Sequence, residues 1–303
     1  MMKAPNFYAA GGLDRVGHRR KDDAWLEARL DAPATRFVPV WRSHNLIAAV
    51  ADVPRAVLLE RHQLAVIPGE AVLLGLLDEV AYFAVDLSHH EAPLQAIRHE
   101  GAAEFIDLRR VGPLLPRQEG ALLAYARGIA FWHGRHRFCG VCGSATESRE
   151  GGHMRRCINA DCSALHFPRT DPAVIMLVTR GDRALLGHAA RFPASMYSTL
   201  AGFVEPGESL EEAVAREVFE ETGVRVARVE YHSSQPWPFP GSIMLGFYAE
   251  ALGEAIVLDR EELEDARWFT RAEIRNHAAH GFAVPRGDSI ARRLIEDWVE
   301  AEA

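Results

Sequence analysis

The stretch Gly202–Val224, GFVEPGESLEEAVAREVFEETGV, constrains this chain more than any other, because it specifies a loop, a helix and the charge that helix must carry. Ser209 followed three residues later by Glu212 is a capping box that starts a helix, and Gly223 stands where a C-cap glycine belongs. At about 100° per residue, Leu210, Ala213 and Val214 point to one side, and Glu217, Glu220 and Glu221 span an arc of roughly 100° that overlaps it. A surface helix turns such carboxylates away from its apolar stripe. Here the stripe itself changes from apolar to acidic halfway along. Like charges at these spacings repel one another, so glutamates turned towards the body of the protein call for a cation. Oxygen ligands of this kind suit Mg²⁺ or Mn²⁺, ions that also bind substrate phosphates. The alternative for a glutamate-rich helix is a solvated acidic face.

The same stretch fits G-x5-E-x7-R-E-U-x-E-E-x-G-U (U aliphatic) at Gly202, Glu208, Arg216, Glu217, Val218, Glu220, Glu221, Gly223 and Val224. That pattern is the Nudix box, and the chain resembles the Nudix hydrolases, which cleave nucleoside diphosphates linked to another group. The resemblance implies that Glu217, Glu220 and Glu221 hold the catalytic metal, helped by the backbone carbonyl of Ala201. Arg216 then orients the carboxylates by a bidentate pair, Glu208 stabilises the loop-helix-loop, and Glu220 and Glu221 are the candidates for general base.

All four cysteines lie between positions 139 and 162, a clustering that points to metal rather than to dispersed disulfides. Cys139, Cys142, Cys157 and Cys162 are spaced C-x2-C-x14-C-x4-C, close to a zinc ribbon, with Cys142-Gly143 giving a tight turn. Four thiolates close a tetrahedron, so one structural Zn²⁺ per subunit is expected. His153 and His166 are possible substitutes for one cysteine, and four free buried cysteines are the bland alternative. His133 and His136, near the end of a helix expected over Gly120–His136, read as surface histidines or as further ligands.

Beyond the box, Gln235-Pro236-Trp237-Pro238-Phe239-Pro240-Gly241-Ser242 is a stiff extended segment with two flat faces. Composition alone also allows a proline-rich surface loop. SQPWPFP followed by a serine two residues on resembles the NADH pyrophosphatase branch of Nudix enzymes. Leu73-Leu74-Gly75 followed by Tyr82-Phe83-Ala84-Val85-Asp86 looks, more loosely, like that branch's N-terminal domain. The resemblance runs from about Leu73 onward. It implies that Glu262 in the acidic turn Glu261–Asp265 also holds metal, with Glu261 and Glu264 close enough to compete for the role. It also implies that Ala291 touches substrate through its backbone, and that Phe167 and Phe203 stack on nicotinamide. Phe167 stands where many relatives carry tyrosine. For both phenylalanines the bland alternative is the core.

Apolar runs at Arg36–Trp41, Ala56–Leu59 and Ala71–Leu74 read as strands. Ala173–Val178 reads as a buried central strand paired with Ala184–Gly187 around a turn at Gly181-Asp182, Ile243–Ala251 as another strand, and a last helix starts at Asp288 or Ser289. The resemblance implies a Nudix α/β/α sandwich with a mixed sheet, preceded by a zinc ribbon and an N-terminal mixed α/β domain. The boundaries expected are 1–136, including the connecting helix, 137–168 for the ribbon and 169–303 for the catalytic domain.

A formal net charge of −8 gives no general affinity for nucleic-acid phosphates, so an RNA substrate would be held by its end. The first 23 residues lack a secretory core, no apolar run approaches the ~20 residues of a membrane span, and the Glu302-Ala303 ending is not a peroxisomal address. A cytoplasmic location is expected. The activity the resemblance implies is hydrolysis of the pyrophosphate of NADH or NAD⁺ to nicotinamide mononucleotide and AMP, and removal of NAD caps from RNA 5′ ends, by a homodimer. Its rivals are a hydrolase of ADP-ribose or another dinucleotide, against which the Gln235–Ser242 segment argues, and a non-catalytic nucleotide sensor, which would usually lack a box glutamate.

Overall fold

The computed structural model describes residues 4–9, 11–64 and 71–301. The chain start at residues 1–3 and the Glu302-Ala303 ending, on which the targeting expectations rest in part, lie outside them. The chain divides into two compact units. A C-terminal unit comprises Met1–Phe7, Asp171–Pro236 and Ser242–Ala303, and an N-terminal unit comprises Tyr8–Thr170 with Trp237–Gly241. Among the described residues no helix is long and apolar enough to cross a membrane.

The N-terminal unit begins with α1 (Asp23–Asp31), capped by Asp22, whose side chain accepts from the Trp25 amide. Strands β1 (Arg36–Trp41), β2 (His44–Val50), β3 (Val53–Ala56), β4 (Val72–Leu77), β5 (Val80–Asp86) and β6 (Ala103–Ile106) follow. They form one sheet in the order β3-β2-β1-β5-β4, with β6 also pairing β2; β1 and β5 run parallel and the other pairs antiparallel. Phe37, Leu46, Leu59, Leu73, Phe83 and Val85 fill its core. The strand expected over Ala56–Leu59 ends at Ala56 instead. Val57 donates to Leu46 O while Leu59 exchanges bonds with Phe37, so this segment crosses from one strand to the next and forms no continuous ladder. A short helix α2 (Leu108–Val111) precedes α3 (Arg117–Arg135), the helix expected to start at Gly120. Beyond it, β7 (Thr146–Arg149), β8 (Met154–Cys157) and β9 (Leu165–His166) make a small antiparallel sheet.

The C-terminal unit is an α/β/α sandwich. Its strands are β10 (Asp171–Arg180), β11 (Arg183–His188), β12 (Leu200–Phe203), β13 (Val226–Trp237), β14 (Ser242–Ala251) and β15 (Asp265–Thr270), interrupted by α4 (Leu210–Thr222) and followed by α5 (Arg271–Arg275) and α6 (Ile290–Glu300). The order is β13-β14-β10-β11-β15 with β12 alongside β10. β10 and β14 are parallel, and β10 pairs antiparallel with β11 and β12, so the sheet is mixed. The period-2 geometry of β10 builds both layers. Val174, Met176 and Val178 pack with Ala213, Val214 and Val218 of α4, whereas Ile175 and Leu177 pack with Ile290, Leu294 and Trp298 of α6. An unbroken apolar strand is what a sheet covered on both faces demands.

Helix α4 is set by its ends. Ser209 Oγ accepts from the Glu212 amide at 3.2 Å and a Glu212 oxygen accepts from the Ser209 amide at 2.8 Å, a cap whose loss costs about 1 kcal/mol. Gly223 closes the helix at φ 69°, the left-handed region that glycine adopts freely.

Candidate active site and metal centres

Strand β12 delivers the backbone onto the acidic half of α4, with Ala201 opposite Ile175 and Gly202 opposite Val174 of β10. A Cβ on Gly202 would sit 1.8 Å from the Glu217 carboxyl carbon. The box glycine is thus a cradle that any side chain would fill, and its hydrogen is what lets Glu217 turn inward. Glu217 and Glu221, one turn apart, are 8% and 5% exposed. The loop before β15 brings a third carboxylate. Leu263 is buried, the Asp259 amide donates to Glu221 O at 3.1 Å, and Asp259 O accepts from the amides of Glu262 and Leu263. Carboxylate oxygens of Glu217, Glu221 and Glu262 lie within 4.8 Å of one another.

These charges are in conflict. Burial raises the Glu217 pKa, opposed by Arg216 and reinforced by Glu220 and Glu262. Glu221 is pushed up to about 8, first by burial and then by the charges of Glu217 and Glu262, against pulls from Arg191 and the Ala201 backbone. An oxygen-only donor set, mutual repulsion and a glycine cradle fit a hard divalent cation, which would reverse those shifts.

Arg216 organises the rest of the box. It grips Glu208 through two bonds of 2.7 and 2.9 Å and donates to Glu217, to Glu220 and to the Phe203 carbonyl, each at 2.9 Å. Glu208 also accepts from the Glu205 amide, and Arg216 holds its pKa below the usual carboxylate range. Arg216 itself is pushed further up by this partner. Glu220 is set apart from the trio: its side chain is half exposed and one oxygen is held by Arg216.

The second centre lies in the N-terminal unit. Sγ atoms of Cys139, Cys142, Cys157 and Cys162 all fall within 4.8 Å of one another. Cys139–Cys162 are 3.8 Å apart and Cys142–Cys157 3.5 Å apart. Gly143, at φ 75°, donates to Cys139 O at 2.8 Å and makes the first knuckle, while Cys162 and Ser163 donate to Asn159 O in the longer second loop. Hydrogen bonds from Ser144 pull Cys142 down to about 6 while burial pushes Cys157 up to about 12. Ionising all four thiols at once needs a cation among them, and an all-sulfur donor set fits Zn²⁺.

The histidines divide between burial, backbone contacts and the cysteine cluster. His133 is buried, with Nε2 at 2.7 Å from Gly152 O and Nδ1 facing Arg155 at 2.9 Å, so it is neither surface nor ligand. His136 bonds the Trp132 carbonyl, and His153 the Leu73 carbonyl at 2.7 Å. Of the two suggested substitutes, only His166 approaches the cluster, 3.3 Å from Cys139 Sγ.

Three family descriptions match in the same order along the chain: an NADH pyrophosphatase-like rudimentary NUDIX domain at residues 34–132, an NADH pyrophosphatase zinc ribbon domain at 135–167 and a NUDIX domain at 169–292. The chain is 42% identical to the NAD-capped RNA hydrolase NUDT12 of Homo sapiens over 97% of this chain and 73% of that protein. The chain belongs to the NADH pyrophosphatase branch of the Nudix family. It is also 46% identical to the NAD-capped RNA hydrolase NudC of Stutzerimonas stutzeri (strain A1501), over 74% of this chain and 75% of that protein.

Within this Nudix framework the expected substrate residues fall into separate groups. Phe203 in the C-terminal unit is 61% exposed and Phe167 in the N-terminal unit 60% exposed, so neither is a core residue. Gln235 is fully buried, and its amide donates to Phe7 O and Asp288 O and accepts from the Ile290 amide, tying β13 to the start of α6. Pro236 and Ser242 belong with it in the C-terminal unit, whereas Trp237, Pro238, Phe239, Pro240 and Gly241 group with the N-terminal unit. Ala291 is buried in the α6 layer, and its amide donates to Ser289 Oγ at 3.1 Å. Arg191, whose charge acts on Glu221, escaped the sequence reading. A lone exposed arginine in a loop belongs to no spacing that marks it.

Proposed function

We propose that this chain hydrolyses the pyrophosphate of NAD(H) to nicotinamide mononucleotide and AMP, and removes NAD caps from RNA 5′ ends to leave a monophosphate. The buried Glu217–Glu221 pair under Gly202, joined by Glu262, carries the reading. Relatives that align over most of their length, named NAD-capped RNA hydrolases, agree with it.

In this reading Glu217, Glu221 and Glu262 hold the divalent cation, with the Ala201 carbonyl beside them. When bound there, Mg²⁺ or Mn²⁺ would supply charge to neutralise the pyrophosphate and would lower the pKa of a water. Arg216 keeps Glu217 aimed inward and fixes one oxygen of Glu220. The other oxygen of Glu220, Oε1, is the acceptor we assign for the proton of the attacking water, with Glu221 the second candidate. Phe203 and Phe167 offer flat faces to the nicotinamide, and the Gln235–Ser242 segment with the Ala291 backbone selects NAD(H) over other dinucleotides.

The cysteine cluster holds one structural Zn²⁺ per subunit. Functional boundaries at 1–136, 137–168 and 169–303, a homodimer and a cytoplasmic location complete the proposal. The test is direct. Incubated with NADH and Mg²⁺ or Mn²⁺, the protein should release reduced nicotinamide mononucleotide and AMP in equal amounts and stop when the cation is chelated. Release of free nicotinamide, or no product at all, would overturn it.

A further inference from the structure

The segment Pro236–Pro240 alternates proline with an aromatic, so only Trp237 and Phe239 within it carry an amide N–H. Phe239 spends its N–H on Trp237 O at 2.8 Å. The carbonyls of this stretch must therefore find donors elsewhere. Pro238 O accepts from Arg127 Nε at 2.7 Å, and Phe239 O from Arg109 at 3.3 Å. Both guanidiniums also lie over the Phe239 ring, at 4.7 and 4.9 Å from its centroid. Tyr8 and Trp237 meet that ring edge-on from 5.8 and 5.0 Å.

Arg127 is itself fixed. It is 6% exposed, and its Nη1 donates to Ser43 O at 2.6 Å and to Asp107 at 3.0 Å. One buried guanidinium of α3 thus joins the β1–β2 turn, the start of α2 and the proline-rich segment. The following residue is glycine, and a Cβ there would stand 3.9 Å from the Pro238 side chain, so the segment lies close along α3.

We infer that Arg127 is a positioning residue that sets the conformation of the Trp237–Gly241 segment and, through it, selectivity for the nicotinamide dinucleotide. The selectivity part rests on the functional reading given above for Gln235–Ser242. Lysine cannot reproduce the fork that serves Pro238 O, Ser43 O and Asp107 together, whereas it keeps the charge.

The experiment measures kcat/KM for NADH and for ADP-ribose in Arg127→Lys, Arg127→Met and Trp237→Ala, with thermal stability and zinc content of each. A purely structural role would lower both substrates together. The expected result is a drop of about fivefold or more in the NADH to ADP-ribose ratio for Arg127→Met, a smaller drop for Arg127→Lys, and a drop for Trp237→Ala. A fall confined to Trp237→Ala would overturn the role of Arg127 and leave the reading of the segment standing. An unchanged ratio in all three would overturn that reading, and the inference with it. Arg127→Lys keeps the test open should the methionine variant not fold.

Discussion

At the residue scale the proposed chemistry depends on Glu217, Glu221 and Glu262, and on a glycine that makes room for the first of them. Glu221→Gln and Glu220→Gln should each lower turnover by at least about a hundredfold, the scale of losing acid-base or electrostatic catalysis. Metal-free Glu221→Gln should melt no lower than wild type, because it removes a buried carboxylate whose neighbours repel it. Wild-type turnover in both variants at saturating Mg²⁺ would contradict the assignment. Phe203→Ala should raise KM for NADH by about 5- to 150-fold, the equivalent of roughly 1–3 kcal/mol of stacking. Its melting temperature should hold, since the ring is 61% exposed; equal losses on NADH and ADP-ribose would remove Phe203 from nicotinamide recognition. The helical arc of the three box glutamates was legible in the spacing of the sequence. Periodicity did not separate Glu220 from its neighbours, because an arc overlapping the core says nothing about which carboxylate Arg216 draws outward.

At the scale of elements, capping residues announced the helix, and the unbroken apolar run Ala173–Val178 announced a buried central strand. The crossing at Val57–Leu59 was illegible, because its bonds go to two different strands. So was the tie between the ribbon and the first sheet. His153, just before β8, donates to Leu73 O of β4, and burial, helped by Arg20 and Arg15, lowers its pKa to about 4. The imidazole is neutral in the fold, while the unfolded chain takes up its proton near pH 6.5. Stability from this group is therefore complete above about pH 6.5 and falls as pH drops towards 4, by on the order of 3 kcal/mol. Melting temperature against pH should accordingly be flatter for His153→Gln than for wild type across that window, and identical slopes would sink the idea. In the same ribbon, Cys142→Ser should take zinc from about one per chain towards zero and lower the melting temperature. Zinc-free wild-type protein prepared without chelator would remove that metal from the account.

Over the whole molecule, the order of the parts was readable from motif spacing, while the grouping of Trp237–Gly241 with the N-terminal unit was not. Contacts made by Arg127 and Arg109 join positions more than a hundred residues apart, and nothing local in a run of prolines records them. A net charge of −8 gives no general affinity for nucleic-acid phosphates, so on the proposed reading an NAD-capped RNA would be held by its end. The most direct measurement is turnover of NADH and of NAD-capped RNA at equal concentration, by wild type and by Glu221→Gln, with saturating Mg²⁺ or Mn²⁺. Wild type should cleave both, leaving RNA with a 5′ monophosphate, and the one substitution should abolish both together. Intact substrates after incubation with wild type, or undiminished turnover in Glu221→Gln, would contradict it.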